Sequence, residues 1–236
     1  MEPRIVRLEQ LTRKEAWERI QSGVVKLAVI PTGSIEQHLT HLAMIHDIQS
    51  ACMVAEDVAE RVYPSALVAV PINAGISEHH MEFRFGSITM KPPAFQAALW
   101  DACDSFIRHG IENILILNGH GGNIAPMEGS VNQYRRYFQK NIHFRSYWDF
   151  VPKEAANRWL DTKSVPGHAQ EYETSMALYM FPENARMDEI AHSDDAGVRA
   201  ATAEKGEALY NAMIEPLTEF VKAIIDGREQ AELTGL

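Results

Sequence analysis

The sequence predicts an α/β protein with a mainly parallel sheet covered on both faces by helices, and three observations predict it. Short apolar runs alternate with longer amphipathic ones along the chain. No repeat, low-complexity tract or Gly/Ser/Pro-rich linker breaks that alternation. The 236 residues suit one domain over 1–236, long enough to hide roughly 70% of the extended surface on folding.

The elements follow in order. Thr12 and Glu15 have capping-box spacing and open a helix that stops near Gly23. Val24 to Ile30 reads as a buried strand closed by Pro31. After a long polar loop, Asp47 can cap a helix running through Val62. Ala66 to Val70 is a second strand, ended by Pro71, and residues 72–91 look irregular. A helix from Pro93 to His109 is stopped by Gly110. Asn113 to Leu117 is a third strand, from which Gly-His-Gly-Gly-Asn turns into a helix ending near Lys140. His143 to Tyr147 is a fourth strand. Beyond it come a loop centred on Gly167, a helix from Glu171 to Phe181 and a long helix from Val198 to Asp226.

Composition removes several classes of function. Lys+Arg 22 against Asp+Glu 32 gives a net charge of −10, which argues against a nucleic-acid partner. Two cysteines, Cys52 and Cys103, make no disulfide framework, so a reducing cytoplasm is expected. The amino terminus lacks the apolar core of a signal peptide, and no run approaches ~18 apolar residues, so no membrane partner is expected.

Ligands of open α/β sheets bind beyond the carboxyl ends of the strands, and the chemically capable residues collect there. The loop after the first strand carries Glu36, His38, His41, His46 and Asp47. The third strand leads into His120, and the fourth strand's loop into His168, Glu171 and Glu173. Five of the ten histidines lie in these loops. Glu36 and His38, two apart, face the same side of an extended segment. Carboxylate and imidazole together suit Zn, Mn or Fe, and Asp47 can ligate while holding the helix N-cap. The dinucleotide fingerprint is incomplete, because Ile124 stands where a third glycine is needed, and no Gly-Lys-Ser/Thr follows. Ser34 lies outside any Gly-x-Ser-x-Gly elbow. His79, His80 and Glu82 fit a substrate pocket or a solvated intersubunit loop.

These residues resemble the creatininase (creatinine amidohydrolase) family. Pro-x-Gly-Ser-x-Glu36-Gln-His38, with His41 and Asp47 following, matches its metal motif; Asn118-Gly-His120-Gly-Gly-Asn123 matches its second and His168-Ala-x-Glu171-x-Glu173-Thr-Ser175 its third. The resemblance implies a three-layer α/β/α sandwich, often a homohexamer, with two divalent ions (Zn, Mn or Fe). It puts Glu36 and His120 on one ion, His38 on the other and Asp47 between them. Creatinine-cleaving members resemble Asn-Gly-His-Tyr-Glu-Asn, with a ligand glutamate where this chain has Gly122, and they carry an apolar residue in place of Glu171. The relocated carboxylate is therefore expected at Glu171. Leu39, Thr40, Ala43, Ile45 and His46 also depart from the usual loop.

By the same resemblance, His168 is expected to donate a proton to the leaving atom, and Glu173 to orient a ligand histidine. Trp148 is expected to stack on a flat substrate, with His79 and His80 lining the pocket; a second pocket tryptophan of that branch is Ser164 here. The expected activity is metal-dependent hydrolysis of a small cyclic amide or related carbonyl compound, with hydroxide held between the ions as nucleophile. Formamide deformylation, ring opening of a keto-inositol and peptide trimming in mycofactocin maturation keep the same metal chemistry. A nucleotide-binding module using Gly-His-Gly-Gly-Asn as an anion nest, and a non-catalytic oligomer subunit, are the rivals of another class.

Overall fold

The computed structural model describes residues 4–82 and 85–232. Strands β1 (Leu27–Thr32), β2 (Ala66–Val68), β3 (Asn113–Asn118) and β4 (Asn141–Ser146) form one parallel sheet in the order β2-β1-β3-β4. β1 pairs with β3 from Leu27↔Asn113 to Thr32↔Asn118, and β3 with β4 from Asn113↔Asn141 to Asn118↔Ser146. The shared register sets the carboxyl ends Thr32, Asn118 and Ser146 side by side, and so gathers the loops that follow β1 and β3.

The helices are α1 (Arg13–Gln21), α2 (His46–Arg61), α3 (Pro92–Arg108), α4 (Ile124–Phe138), α5 (Lys153–Trp159), α6 (Glu171–Met180), α7 (Met187–Ala191), α8 (Ala196–Ala200) and α9 (Ala203–Ile225). Successive strand residues face opposite sides of the sheet. Leu27, Val29, Leu115 and Leu117 enter one core with residues of α2, α6 and α9. Ala28, Ile30, Ile114 and Ile116 enter a second core with residues of α3 and α4. Because both faces are covered, the strands read as continuous apolar runs, and the result is the expected α/β/α sandwich. Each fully buried leucine or isoleucine contributes about 1.5–3 kcal/mol. Among the described residues no helix is long and apolar enough to cross a membrane.

The capping box at Thr12 forms in both directions with Glu15, and Gly110 follows α3 with a left-handed φ of 96°. Two elements differ from expectation for identifiable reasons. β1 runs through Pro31 to Thr32 rather than closing at Ile30. The Pro31 carbonyl accepts from Ile72 N on the flank where β2 has already ended, so the missing proline N–H leaves no ladder position empty there. The long last helix is divided into α8 and α9, because Thr202 turns extended and caps α9 by accepting from Lys205 N.

Candidate metal centre

α2 delivers the central carboxylate. The helix begins at His46, and Asp47 sits inside its first turn instead of capping it; Ile45 holds the cap position without a side-chain bond. Both Asp47 oxygens are turned to histidines: Oδ1 lies 3.0 Å from His38 Nε2 and Oδ2 2.8 Å from His120 Nδ1. This approach requires Gly119, where a Cβ would fall 2.3 Å from the Asp47 carbonyl oxygen. The Gly-His-Gly-Gly-Asn turn is held by Asn118, whose Oδ1 accepts from His120 N at 3.2 Å and whose Nδ2 donates to His120 O at 2.8 Å. Asn123 ties the turn to the next segment, accepting from Ile76 N at 3.0 Å and donating to Gly33 O at 3.2 Å.

The hydrogen bonds behind each histidine fix which nitrogen faces the cluster. His38 Nδ1 donates to Glu36 O at 3.0 Å, leaving Nε2 toward Asp47 and, 3.8 Å away, Glu173 Oε2. His120 Nε2 donates to Ile76 O at 3.1 Å, leaving Nδ1 toward Asp47 and Glu36 Oε2, the latter at 3.3 Å. A backbone carbonyl behind an imidazole is the usual support of a metal ligand. Glu173 Oε2 accepts from Ala169 N at 2.6 Å.

Glu36, Asp47 and Glu173 are all almost completely buried. Three carboxylates so close, without compensation, would each cost several kcal/mol. Beyond their close contacts with one another, Glu36 Oε1, Asp47 Oδ2 and His38 Nε2 find no further hydrogen-bond partner. Glu36, Asp47 and His120 offer ligand atoms within 4.8 Å of one another, as do His38, His46 and Glu173. The donor set therefore fits divalent cations: oxygen and imidazole ligands, buried, with three carboxylates gathered together. Burial alone would lower the pKa of His38 and His120, but Asp47 beside both, with Glu173 at His38 and Glu36 at His120, raises them to about 9 and about 10. Burial pushes Glu173 up.

The centre opens into a cleft of about 300 Å³ lined by His79, His80, Gly122 and His168, among others. His80 stacks on His168 with centroids 4.4 Å apart, and its Nε2 lies 3.5 Å from Glu36 Oε1. His79 stands at the rim, more than half exposed, 3.9 Å from the same oxygen. Gln37 joins the two imidazoles, its amide nitrogen donating to His80 Nδ1 at 2.9 Å and His168 Nε2 at 2.8 Å. The amide orientation is set by Leu39 N, which donates to Gln37 Oε1. His168 Nδ1, 3.9 Å from Glu36 Oε2, is consequently the nitrogen that carries the proton.

Two expected site residues lie elsewhere. Glu171 is fully buried, but its carboxylate accepts from Asp161 N, Thr162 N and Thr162 Oγ1 and pairs with Lys205 Nζ. It is in none of the metal-capable groups among the described residues, whereas Glu173, expected to orient a ligand histidine, is itself grouped with His38 and His46. The reason is helical: residues two apart point about 200° apart, so one glutamate of the pair faces the cluster and the other faces away. Trp148 is the second correction. Its ring packs against Tyr147 in the core and borders a neighbouring cleft with Lys163 and Val165, not the cleft at the metal centre. His41 is satisfied by Thr174 Oγ1 at 2.9 Å. Gly122 has a steric reason: a Cβ there would lie 2.1 Å from Ile76 O and 2.5 Å from His120 Nε2, so the 76–79 segment fills the room a longer side chain needs.

Gln37 received no role from the sequence, although it sits between two candidate ligands. The signal was available only in part, since alternation in an extended segment turns it away from Glu36 and His38 and toward other partners.

The sequence pattern of the family described as Creatininase: Creatinine amidohydrolase matches residues 9–221. The chain belongs to the creatininase family, a family of hydrolases. It is 23% identical to creatinine amidohydrolase of Pseudomonas putida, the match covering 90% of this chain and 95% of that one. It is 31% identical to the mycofactocin precursor peptide peptidase of Mycobacterium ulcerans, over 71% of this chain and 64% of that protein. A crystal structure of creatinine amidohydrolase superposes with a TM-score of 0.82 at 22% identity, covering 97% of this chain and 100% of the other. Creatininase in a manganese form gives a TM-score of 0.80 at 23% identity, over 92% and 98%.

Proposed function

We propose that this chain is a two-ion amidohydrolase that cleaves a C–N bond in a small cyclic amide or related carbonyl compound. The observation that carries the reading is the Asp47 carboxylate, with one oxygen 3.0 Å from His38 Nε2 and the other 2.8 Å from His120 Nδ1. A carboxylate so placed is suited to bridge two cations. Glu36 and His120 would hold one ion, and His38 with Glu173 the other. When bound, divalent ions (Zn, Mn or Fe) supply Lewis-acid polarisation of a carbonyl and activation of water at neutral pH.

The chain's own residues position and finish the reaction. Gln37 holds His168 as the neutral tautomer with its N–H at Nδ1, facing the cleft. Without metal, burial and then the neighbouring His38 push the His168 pKa down to about 4. His168 thus serves as a hydrogen-bond donor to the substrate's oxygen or leaving nitrogen. His80, fixed by the same glutamine, closes one wall. His79 offers an exposed imidazole at the rim for a polar substituent. We also take the working form to be a homo-oligomer, the hexamer implied by the resemblance, in keeping with the exposure of Phe85 at 97% and Ile88 at 55% in the loop before α3.

A second reading, trimming of a peptide, is favoured by Trp148 lying outside the cleft and by the 31% identity to a peptide peptidase. Metal-loaded protein should be tested on creatinine and other cyclic amides, formamides, short peptides and keto-inositols, each with a chelated control. Chelator-sensitive turnover of a cyclic amide supports the proposal; turnover confined to peptides or cyclic ketones contradicts it.

A further inference from the structure

One buried side chain beside the centre has no task in that reading. His46 opens α2 directly before Asp47 and is 1% exposed. Neither of its ring nitrogens has a hydrogen-bond partner. Its ring lies 4.9 Å from that of His38 and meets Phe181 edge-on at 5.5 Å. One nitrogen of His46, one of His38 and one oxygen of Glu173 fall within 4.8 Å of one another.

His143 in β4 gives the contrast. It is also fully buried with both nitrogens unpartnered, but it packs edge-on against Phe220 at 5.2 Å and joins no metal-capable group among the described residues. This protein therefore tolerates a lone core imidazole, at a cost of roughly 1–3 kcal/mol for each polar atom left unpaired. The company of a second imidazole and a carboxylate sets His46 apart.

We propose that His46 is a ligand of the ion held by His38 and Glu173. The inference rests on the two-ion reading and deepens it, because it makes the two positions chemically unequal. One has two imidazoles, Glu173 and a share of Asp47; the other has one imidazole, Glu36 and the other share of Asp47.

The test compares the wild type with His46→Leu and His143→Leu, each loaded with zinc, dialysed against graded competing chelator and analysed for metal content. Circular dichroism checks the fold. The wild type and His143→Leu should keep two zinc ions. His46→Leu should keep one at unchanged affinity and bind the other at least about tenfold more weakly. A folded His46→Leu that holds both ions like the wild type overturns the inference while leaving the two-ion reading standing. A wild type that binds no zinc overturns both. If His46→Leu does not fold, His46→Cys loaded with cobalt decides: a thiolate-to-cobalt charge-transfer band supports ligation, and its absence refutes it.

Discussion

Glu171 and Glu173 stand two residues apart in the first turn of α6, both buried, and belong to different parts of the molecule. Glu171 faces α9 and the 161–162 segment, where Lys205 and Thr162 satisfy it. Glu173 faces the cluster, 3.8 Å from His38, with one backbone donor at Ala169. A carboxylate that is fully paired stabilises the fold, and one left short of partners among other acids is available to a cation. The same residue type in the same motif divides into structure and chemistry by which way the helix turns it.

Glu173→Ala should produce the largest break. It removes a charge and a coordinating group together, so one ion should bind at least about 100-fold more weakly, at or beyond the upper end of outer-shell losses. Equilibrium metal content read against a competing chelator checks this. His168→Ala, in the loop that leads into the same side of α6, should keep both ions and lose roughly 10²-fold in kcat. Loss of an ion in that variant would move His168 among the ligands.

The two sides should also differ in their response to pH. Without metal, His38 and His120 are held protonated by their carboxylates, with values of about 9 and about 10. Metal uptake must expel those protons, so affinity should rise with pH by up to about tenfold per unit for each proton released, and level off above the raised values. Calorimetric titrations at about pH 6, 7 and 8 in buffers of different ionisation enthalpy would count the protons; an affinity flat across that range contradicts the arrangement. Glu171→Gln should have the smallest effect on the centre, with metal content unchanged. Stability should fall by about 1.5–3 kcal/mol, the worth of hydrogen bonds to a charged group, measurable by urea unfolding.

Much of this was legible in the sequence, and each exception has a physical cause. The four strands and the three loops could be read because buried parallel strands are apolar runs and because metal ligands need particular residue types. Glu36, His38, Asp47 and His120 are brought together as spacing and resemblance suggested. Choosing Glu171 over Glu173 failed because a motif states which residues occur, whereas the facing of a helix depends on its neighbours; two residues of phase would have shown that only one could serve. Trp148 was misplaced because its burial beside Tyr147 depends on how the fourth strand's loop folds back on the core. α5, α7 and α8, of seven, five and five residues, are too short to display a helical period.

In the proposed centre Asp47 stands between two cations, one at Glu36 and His120 and one at His38 and Glu173. Anomalous diffraction from crystals grown with zinc tests it most directly. Two anomalous peaks are expected, one on either side of the Asp47 carboxylate, with Glu173 touching the second. A peak at Glu171, or no peak beside Asp47, would contradict it.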